Sequence, residues 1–489
     1  MLFNSYVFLL FFLPITLIGY YIINYLGKYR VAQAWILIAS FVFYGYENYR
    51  FCYILLGTIL VNYFLHYLFI ERLTNGTIRK VVLFLGVAGN LGLLFYFKYV
   101  DFFLDSVNRL FGSGFAMRNI VLPLGISFFT FQQLSFLVDS YKGDMQRYEL
   151  LEYAVFVSFF PQLVAGPIVL HQEMIPQFRD EKNRRINYEN LTSGLEYLVL
   201  GFAKKVLVAD SFARICDAGY ENLAGLNSLS AVLVMLAFTL EIYFDFSGYC
   251  DMAIGLGKLF NIQIPYNFVS PYKSLNIAEF WKRWHITLTR FLTTYLYIPL
   301  GGNRKGTVRT LINVMIVFTL SGLWHGAQWT FVLWGMIHGA MMVVYRIGKK
   351  VWDRLPRLLL WIATFLSVNV AWVFFRADYF RQPFRLFERM LVGGSGWCQE
   401  EMVNAFAQKS LWLEISEAIF ADTALQGLSQ VALLLWFAFW IIVCARFPSS
   451  HEMVEKKNRS TVYFVYLGVL LAWSFMWLSQ MSKFIYFNF

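Results

Sequence analysis

Apolar residues in this chain are gathered into long runs separated by short polar stretches. Runs near the ~20 residues that a helix needs to cross a bilayer fall at about 6–26, 32–46, 52–70, 81–97, 119–138 and 191–210 in the first half. In the second half they fall at about 229–247, 310–324, 327–345, 358–375, 428–445 and 461–479. This pattern predicts an all-α polytopic membrane protein with about 11–12 transmembrane helices. Two further apolar stretches are broken. Segment 151–170 contains Pro161, Gly166 and Pro167, and segment 285–300 is shorter, with Pro299 and then Gly301 at its end. Backbone interrupted at membrane depth is tolerated only where protein or a water-filled cavity covers it, so both are expected to be re-entrant or half-spanning. The first run has no basic residue before Tyr6 and ends without a small-residue cleavage site, so it is expected to remain as the first span.

Composition agrees with this reading. Of 489 residues, 58% are apolar and 15% are charged, against about 45–50% and about 25% in ordinary soluble domains. A disordered chain, a disulfide-stapled scaffold and an ordinary soluble enzyme are excluded, and one integral membrane domain over 1–489 is expected. The net charge of +11 is mostly a topology signal. Lys28 and Arg30, then Arg72, Arg79 and Lys80, then Arg179, Lys182, Arg184 and Arg185 mark successive basic loops. Arg346, Lys349, Lys350, Arg354 and Arg357, and later Arg446, Lys456, Lys457 and Arg459, mark two more. Alternate loops are poorer: 46–51 has Arg50 only, and 212–228 has Arg214 against Asp217 and Glu221. Basic loops belong in the cytoplasm. That places a multi-pass chain in the inner (cytoplasmic) membrane with its N-terminus outside, provided 151–170 enters and leaves on the cytoplasmic side. No basic stripe carries interleaved exposed aromatics, so nucleic acid is not an expected partner; the lipid bilayer is.

Other chemistries find little support. The five cysteines have no regular spacing, although Cys216 and Cys398 could pair across an outer face. CxxC, HExxH and GxxxxGK[ST] patterns are all missing from the sequence, so no metal site is expected and an ATP-driven pump is disfavoured. Residues 376–427 break the membrane pattern with Arg376, Asp378, Arg381, Arg385, Glu388, Arg389, Glu400, Glu401 and Lys409. They read as a pair of interfacial helices outside the membrane or as a docking platform for an extracytoplasmic partner.

Titratable groups at membrane depth usually mark function, and the evident ones concentrate between Glu241 and His338. Glu241, Asp245 and Asp251 lie near the end of one span and must be paired, solvated or protonated. They could simply cap helices or neutralise Lys258, Lys282 or Arg283. Phe280-Trp-Lys-Arg-Trp-His285 is a basic pair flanked by tryptophan. Trp281 fits a membrane-interface anchor, while Lys282 and Arg283 could also hold the phosphates of an anionic donor. In Ser321-Gly-Leu-Trp-His-Gly-Ala-Gln-Trp329, His325 falls where two spans meet, beside Trp324 and between glycines. A neutral imidazole there could act as a general base; the structural alternative is a histidine bonded across helices. His338 is expected to pack, and His66, His171 and His451 to occupy interface or loop positions.

Taken in order, several strings resemble the membrane-bound O-acyltransferase family, in its bacterial branch that O-acetylates alginate and other surface polysaccharides. They are Asp245-Phe-Ser-Gly-Tyr-Cys-Asp-Met-Ala-Ile-Gly-Leu-Gly, Pro265-Tyr-Asn-Phe, Glu279-Phe-Trp-Lys-Arg-Trp-His-Ile-Thr-Leu, Tyr297-Ile-Pro-Leu-Gly-Gly-Asn-Arg and Gly322-Leu-Trp-His-Gly-Ala. Phe3-Asn-Ser-Tyr-Val-Phe-Leu, Pro123-Leu-Gly-Ile-Ser-Phe-Phe-Thr-Phe131, Phe159-Phe-Pro-Gln-Leu-Val-Ala-Gly-Pro167 and Phe484-Ile-Tyr-Phe-Asn-Phe489 also fit. The resemblance covers nearly the whole chain. It implies a multi-helix fold around a central funnel or tunnel, with its core over 119–345. It maps the family's invariant histidine onto His325 and a second conserved polar position onto His285.

The implied reaction is acetyl transfer from a cytoplasmic thioester, acetyl-CoA as a substrate and not a resident cofactor. The acceptor is a hydroxyl of an extracytoplasmic partner of the SGNH-hydrolase type or of the polysaccharide itself. His325 would take the proton of the attacking hydroxyl and His285 would orient the thioester or the base. Trp281, Lys282, Arg283, Trp324, Asn267, Asp245 and Asp251 are candidates for holding donor or acceptor. D-alanyl transfer to teichoic acid is the near alternative. A secondary transporter or flippase for glycan precursors and a non-catalytic export scaffold are the distant ones.

Overall fold

The computed structural model describes residues 1–143, 145–407, 422–457, 459–478, 484 and 485. Its regular structure is helical, with no strand among the described residues. Among the described residues, eight helices are long and apolar enough to cross a membrane: Phe8–Tyr25, Arg50–Arg72, Gly76–Phe111, Ser228–Leu259, Thr307–His325, Trp329–Trp352, Arg357–Arg376 and Gly427–Arg446. Three other expected spans form shorter helices: Tyr29–Gly45 and Ile126–Lys142 of 17 residues each, and Thr461–Met476 of 16. At 1.5 Å per residue these reach about 24–26 Å, a little less than the hydrocarbon thickness of about 30 Å.

Three boundaries differ from the pattern in the sequence. The run expected at 119–138 becomes helical only at Ile126, because Pro123 sits in a turn and Gly125 takes a left-handed φ of 73° just before the helix. The run at 81–97 belongs to a much longer helix, Gly76–Phe111. The run at 191–210 continues through a π-turn at Lys204–Ala209 into the polar Asp210–Glu221 helix. The 151–170 stretch is broken as expected, into Leu150–Ser158 and the four-residue Phe160–Leu163. In 376–427, the helices Gln382–Val392 and Glu400–Ala407 form; Leu391 at the end of the first exposes 84% of its surface, and Trp397 between the two exposes 64%. Residues 408–421, with Lys409, and 486–489 of the last matching string lie outside the described residues.

The chain divides into two compact units, Met1–Leu200 with Tyr249–Tyr266, and Gly201–Gly248 with Asn267–Phe489. The first is held by buried amides. Asn62 and Asn90 exchange hydrogen bonds of 3.0 and 2.8 Å, Asn62 also donates to Gln133 Oε1, and Gln133 donates to Thr58. This joins helices Arg50–Arg72, Gly76–Phe111 and Ile126–Lys142 where lipid gives no hydrophobic drive for association. His66 and His171 are buried within this unit and not placed in loops. His66 Nδ1 lies 2.9 Å from Ser140 Oγ, and His171 bridges Tyr148 and Asp139.

The second unit contains an ion cluster that the sequence pattern hides. Lys205 Nζ lies 2.6 Å from Asp245 and 2.9 Å from Asp210, all with side chains at most 2% exposed. Asp245 is therefore neutralised by Lys205, and not by Lys258, Lys282 or Arg283. The Ile485 N–H donates to its other oxygen at 2.9 Å. Buried titratable groups are thus not confined to 241–338. None of the five cysteines forms a disulfide, and the buried Cys216 and Cys398 do not pair. Removing one member of a buried pair strands the others without compensation. Lys205→Met is therefore expected to cost about 3–5 kcal/mol, read as a lowered melting temperature in detergent. Lys205→Met/Asp210→Asn/Asp245→Asn together should recover much of that loss. Wild-type melting of the single variant would contradict the ion cluster.

Candidate active site

Two local structures carry the central histidines, and both lie in the second unit. The first begins with Ile277–Arg283. Asn276 caps this helix by accepting the Glu279 N–H at 2.8 Å. Glu279 accepts the Leu275 N–H and pairs with Arg283 at 2.9 Å, one turn along. The helix stops at Trp284, and His285 takes φ 45° and ψ 52° before the chain re-enters a helix at Ile286–Leu292. A non-glycine residue in this left-handed region is uncommon. The turn is held by Asn267, which is fully buried. Its carbonyl accepts the Ile286 N–H at 3.1 Å, and its side-chain oxygen accepts both the N–H and the hydroxyl of Thr287 at 3.1 and 2.7 Å. These bonds satisfy helix-end N–H groups that would otherwise be orphaned.

The second is a helical hairpin. Thr307–His325 ends at His325 itself, and Trp329–Trp352 starts within one turn of chain. The two backbones touch at glycine. A Cβ on Gly322 would collide with the Phe331 carbonyl oxygen and one on Gly335 with that of Phe318, while each would come within about 3 Å of the other glycine. Only glycine permits this approach. The contact sets Trp334 against His325, with ring centroids 5.0 Å apart at 90°.

The hairpin and the His285 turn bring the two imidazoles to a centroid separation of 6.2 Å. Their exposures are 0% for His285 and 3% for His325. Phe246 stands edge-on to His285 at 4.8 Å; Trp324 and Phe375 pack on His325 at 4.9 and 5.3 Å. Behind Trp334 lies His338, whose Nδ1 is 3.3 Å from the Trp281 indole nitrogen. Such a setting excludes water and can support acid–base chemistry on an apolar-walled group.

The structure thus gathers His285, His325 and Trp324, and places Asn267 as the brace of the His285 turn. Trp281 is 5% exposed and packs on Phe318, Trp334 and His338, so it is a core residue and not an interface anchor. Lys282 is exposed, and Arg283 is engaged by Glu279 and the Val269 carbonyl. Asp245 belongs to the Lys205 cluster, and Asp251 lies in the first unit. The sequence reading passed over Trp334, Trp372, Phe375 and Phe246, because an aromatic residue in an apolar span looks like any packing residue. The four-residue spacing of Trp334 and His338 was the available signal.

The left-handed turn predicts a stability order. His285→Gly relieves backbone strain that His285→Ala keeps. The glycine variant should be more stable than the alanine variant by about 1 kcal/mol, compared by thermal melting in detergent. Equal melting would argue against the left-handed conformation.

Comparison with known proteins places this geometry in context. The model of the membrane-bound O-acyltransferase family, MBOAT, matches residues 7–377. A peptidoglycan O-acetyltransferase of Helicobacter pylori is 38% identical over 525 aligned positions, covering 100% of this chain and 98% of that protein. A probable alginate O-acetylase AlgI of Pseudomonas aeruginosa is 39% identical, covering 83% of this chain and 77% of that protein. A teichoic acid D-alanyltransferase of Streptococcus thermophilus is 28% identical over 45% of this chain and 56% of its own length.

Proposed function

Because the chain belongs to the membrane-bound O-acyltransferase family, and is an O-acyltransferase, we propose that it transfers acetyl from cytoplasmic acetyl-CoA to a hydroxyl outside the membrane, toward O-acetylation of a surface polysaccharide. The observation that carries this reading is the buried pair His285 and His325 at 6.2 Å. The likeness to the peptidoglycan O-acetyltransferase spans the whole chain, which makes peptidoglycan the first acceptor to test and an alginate-like polymer the second. The D-alanyl alternative draws on a likeness over 45% of the chain, so acetyl is the stronger reading.

In this reading the basic loops face the cytoplasm and the N-terminus faces out. The donor enters from the basic side. His325, neutral, takes the proton of the attacking hydroxyl, and the oxygen adds to the thioester carbonyl carbon. His285 hydrogen-bonds to the thioester and fixes its orientation. When the C–S bond breaks, the thiolate recovers the proton from His325. The aromatic walls limit competing hydrolysis of the thioester. The hydroxyl belongs to an SGNH-hydrolase-type partner outside the membrane or to the glycan.

The test uses full-length protein in proteoliposomes, supplied with acetyl-CoA and a peptidoglycan or alginate fragment, with free thiol and acetylated product both measured. His325→Ala is expected to lower turnover by about 10²–10⁴-fold while reaching the membrane at the wild-type level. Undiminished product formation by that variant would remove His325 from the chemistry.

A further inference from the structure

Three buried nitrogen atoms beside the histidine pair have no hydrogen-bond partner among the described residues: the indole Nε1 of Trp334, the indole Nε1 of Trp372, and Nε2 of His338. The three residues are 0%, 1% and 0% exposed. The proton position on His338 follows from its other nitrogen. Trp281 donates its indole N–H to His338 Nδ1 at 3.3 Å, so Nδ1 presents its lone pair and the neutral ring carries its proton on Nε2. All three orphaned atoms are therefore donors, and an indole N–H can never accept. The cluster cannot satisfy itself.

The rings are mutual neighbours. Trp334 lies 4.8 Å from His338 and is stacked on Trp372 at 5.6 Å and 20°, and His338 lies 6.1 Å from Trp372. Trp334 in turn stands edge-on to His325 at 5.0 Å. Folded proteins pair nearly all buried polar atoms, and phenylalanine would fill most of the volume of either tryptophan without leaving an orphan. Three unpaired donors in one ring cluster, next to a histidine read as the base, leave an acceptor to be supplied from outside the cluster.

We propose that Trp334, Trp372 and His338 donate hydrogen bonds to the carbonyl oxygen of the acyl group in transit and hold the charge that develops on it. This rests on the acetyl-transfer reading above. The hydroxyl oxygen bonds to the carbonyl carbon as its proton passes to His325. The carbonyl π pair moves onto the oxygen, forming an oxyanion, and the three N–H groups take up that charge. The pair then returns to re-form the carbonyl, the C–S bond breaks, and the departing thiolate takes the proton from His325. No group is oxidised or reduced. Fixed donors in a water-poor site act most strongly on charge that exists only in the transition state.

The test replaces Trp334 and Trp372, one at a time, by phenylalanine and by 3-benzothienylalanine, which puts sulfur where the indole has N–H and keeps the ring shape. Acetyl transfer from acetyl-CoA is measured on the full-length protein with its melting temperature. The expected result is a fall in kcat of about 10²-fold for each benzothienyl variant, with KM for acetyl-CoA and melting temperature unchanged. The sulfur variants decide the matter if the phenylalanine variants fail to fold. Wild-type kcat in both sulfur variants overturns the proposal and leaves the N–H groups to contacts with ring faces. A wild-type protein that transfers no acetyl group overturns the acetyl-transfer reading itself, and the proposal with it.

Discussion

The contact between two helix backbones at Gly322 and Gly335 is the constraint on which the site depends. Within a bilayer, helices gain little from burying apolar side chains against each other, so close packing carries the association. Here the approach is so close that any side chain at either position would strike a carbonyl of the opposite helix. Rotation and register of the hairpin are fixed together. His325 is the last residue of one helix, and Trp334 directly precedes the glycine of the other. One contact therefore sets the ring of Trp334 on His325, and with it the position of His338 one turn further on. The Arg357–Arg376 helix completes the wall with Trp372 and Phe375.

Buried polarity is handled in two ways. In the amide network and the Lys205 cluster, donors meet acceptors: Asn62 and Asn90 bond reciprocally, and one ammonium serves two carboxylates. Such groups hold helices in place, and their burial is tolerable because they are paired. Around His338 the three atoms left over, on Trp334, Trp372 and His338 itself, are all donors. No rearrangement of the three rings could pair them, since none offers a lone pair once Trp281 has taken Nδ1. That imbalance separates a structural polar group from one that waits for a partner of the opposite character.

Much of this was legible in the sequence because a bilayer imposes a length and an apolarity on every span. Each predicted run contains helix among the described residues, and the 151–170 stretch broke at Phe159, two residues before Pro161, and again after Leu163, ahead of Gly166 and Pro167. His285 and His325 were visible as polar residues in ordered strings, although 40 positions apart. The Lys205 cluster was not legible. Lys204, Lys205 and Asp210 sit at the end of an apolar run, where charges usually mark the membrane boundary, and only tertiary packing shows that Lys205 and Asp210 are buried. The role of Asn267 was hidden for the same reason. Its bonds run to Ile286 and Thr287, about 20 residues away, across a turn that no local pattern announces.

That turn also explains why two strings that read as separate motifs act as one. A left-handed backbone costs a residue with a Cβ roughly 1–2 kcal/mol, and the His285 side chain does not cap the helix that follows. The strain is offset by Asn267, whose backbone and side chain together accept three hydrogen bonds from the start of the next helix. Glycine at 285 would remove the strain and the imidazole at once. The extended dihedrals of Trp284 and the left-handed ones of His285 together keep Ile277–Arg283 from running straight on into Ile286–Leu292. The strained conformation thus places an imidazole at a break between two helices, 6.2 Å from a second one. Asn267 therefore belongs with the histidine turn although it need touch no substrate: its bonds to Ile286 and Thr287 hold the backbone that presents His285.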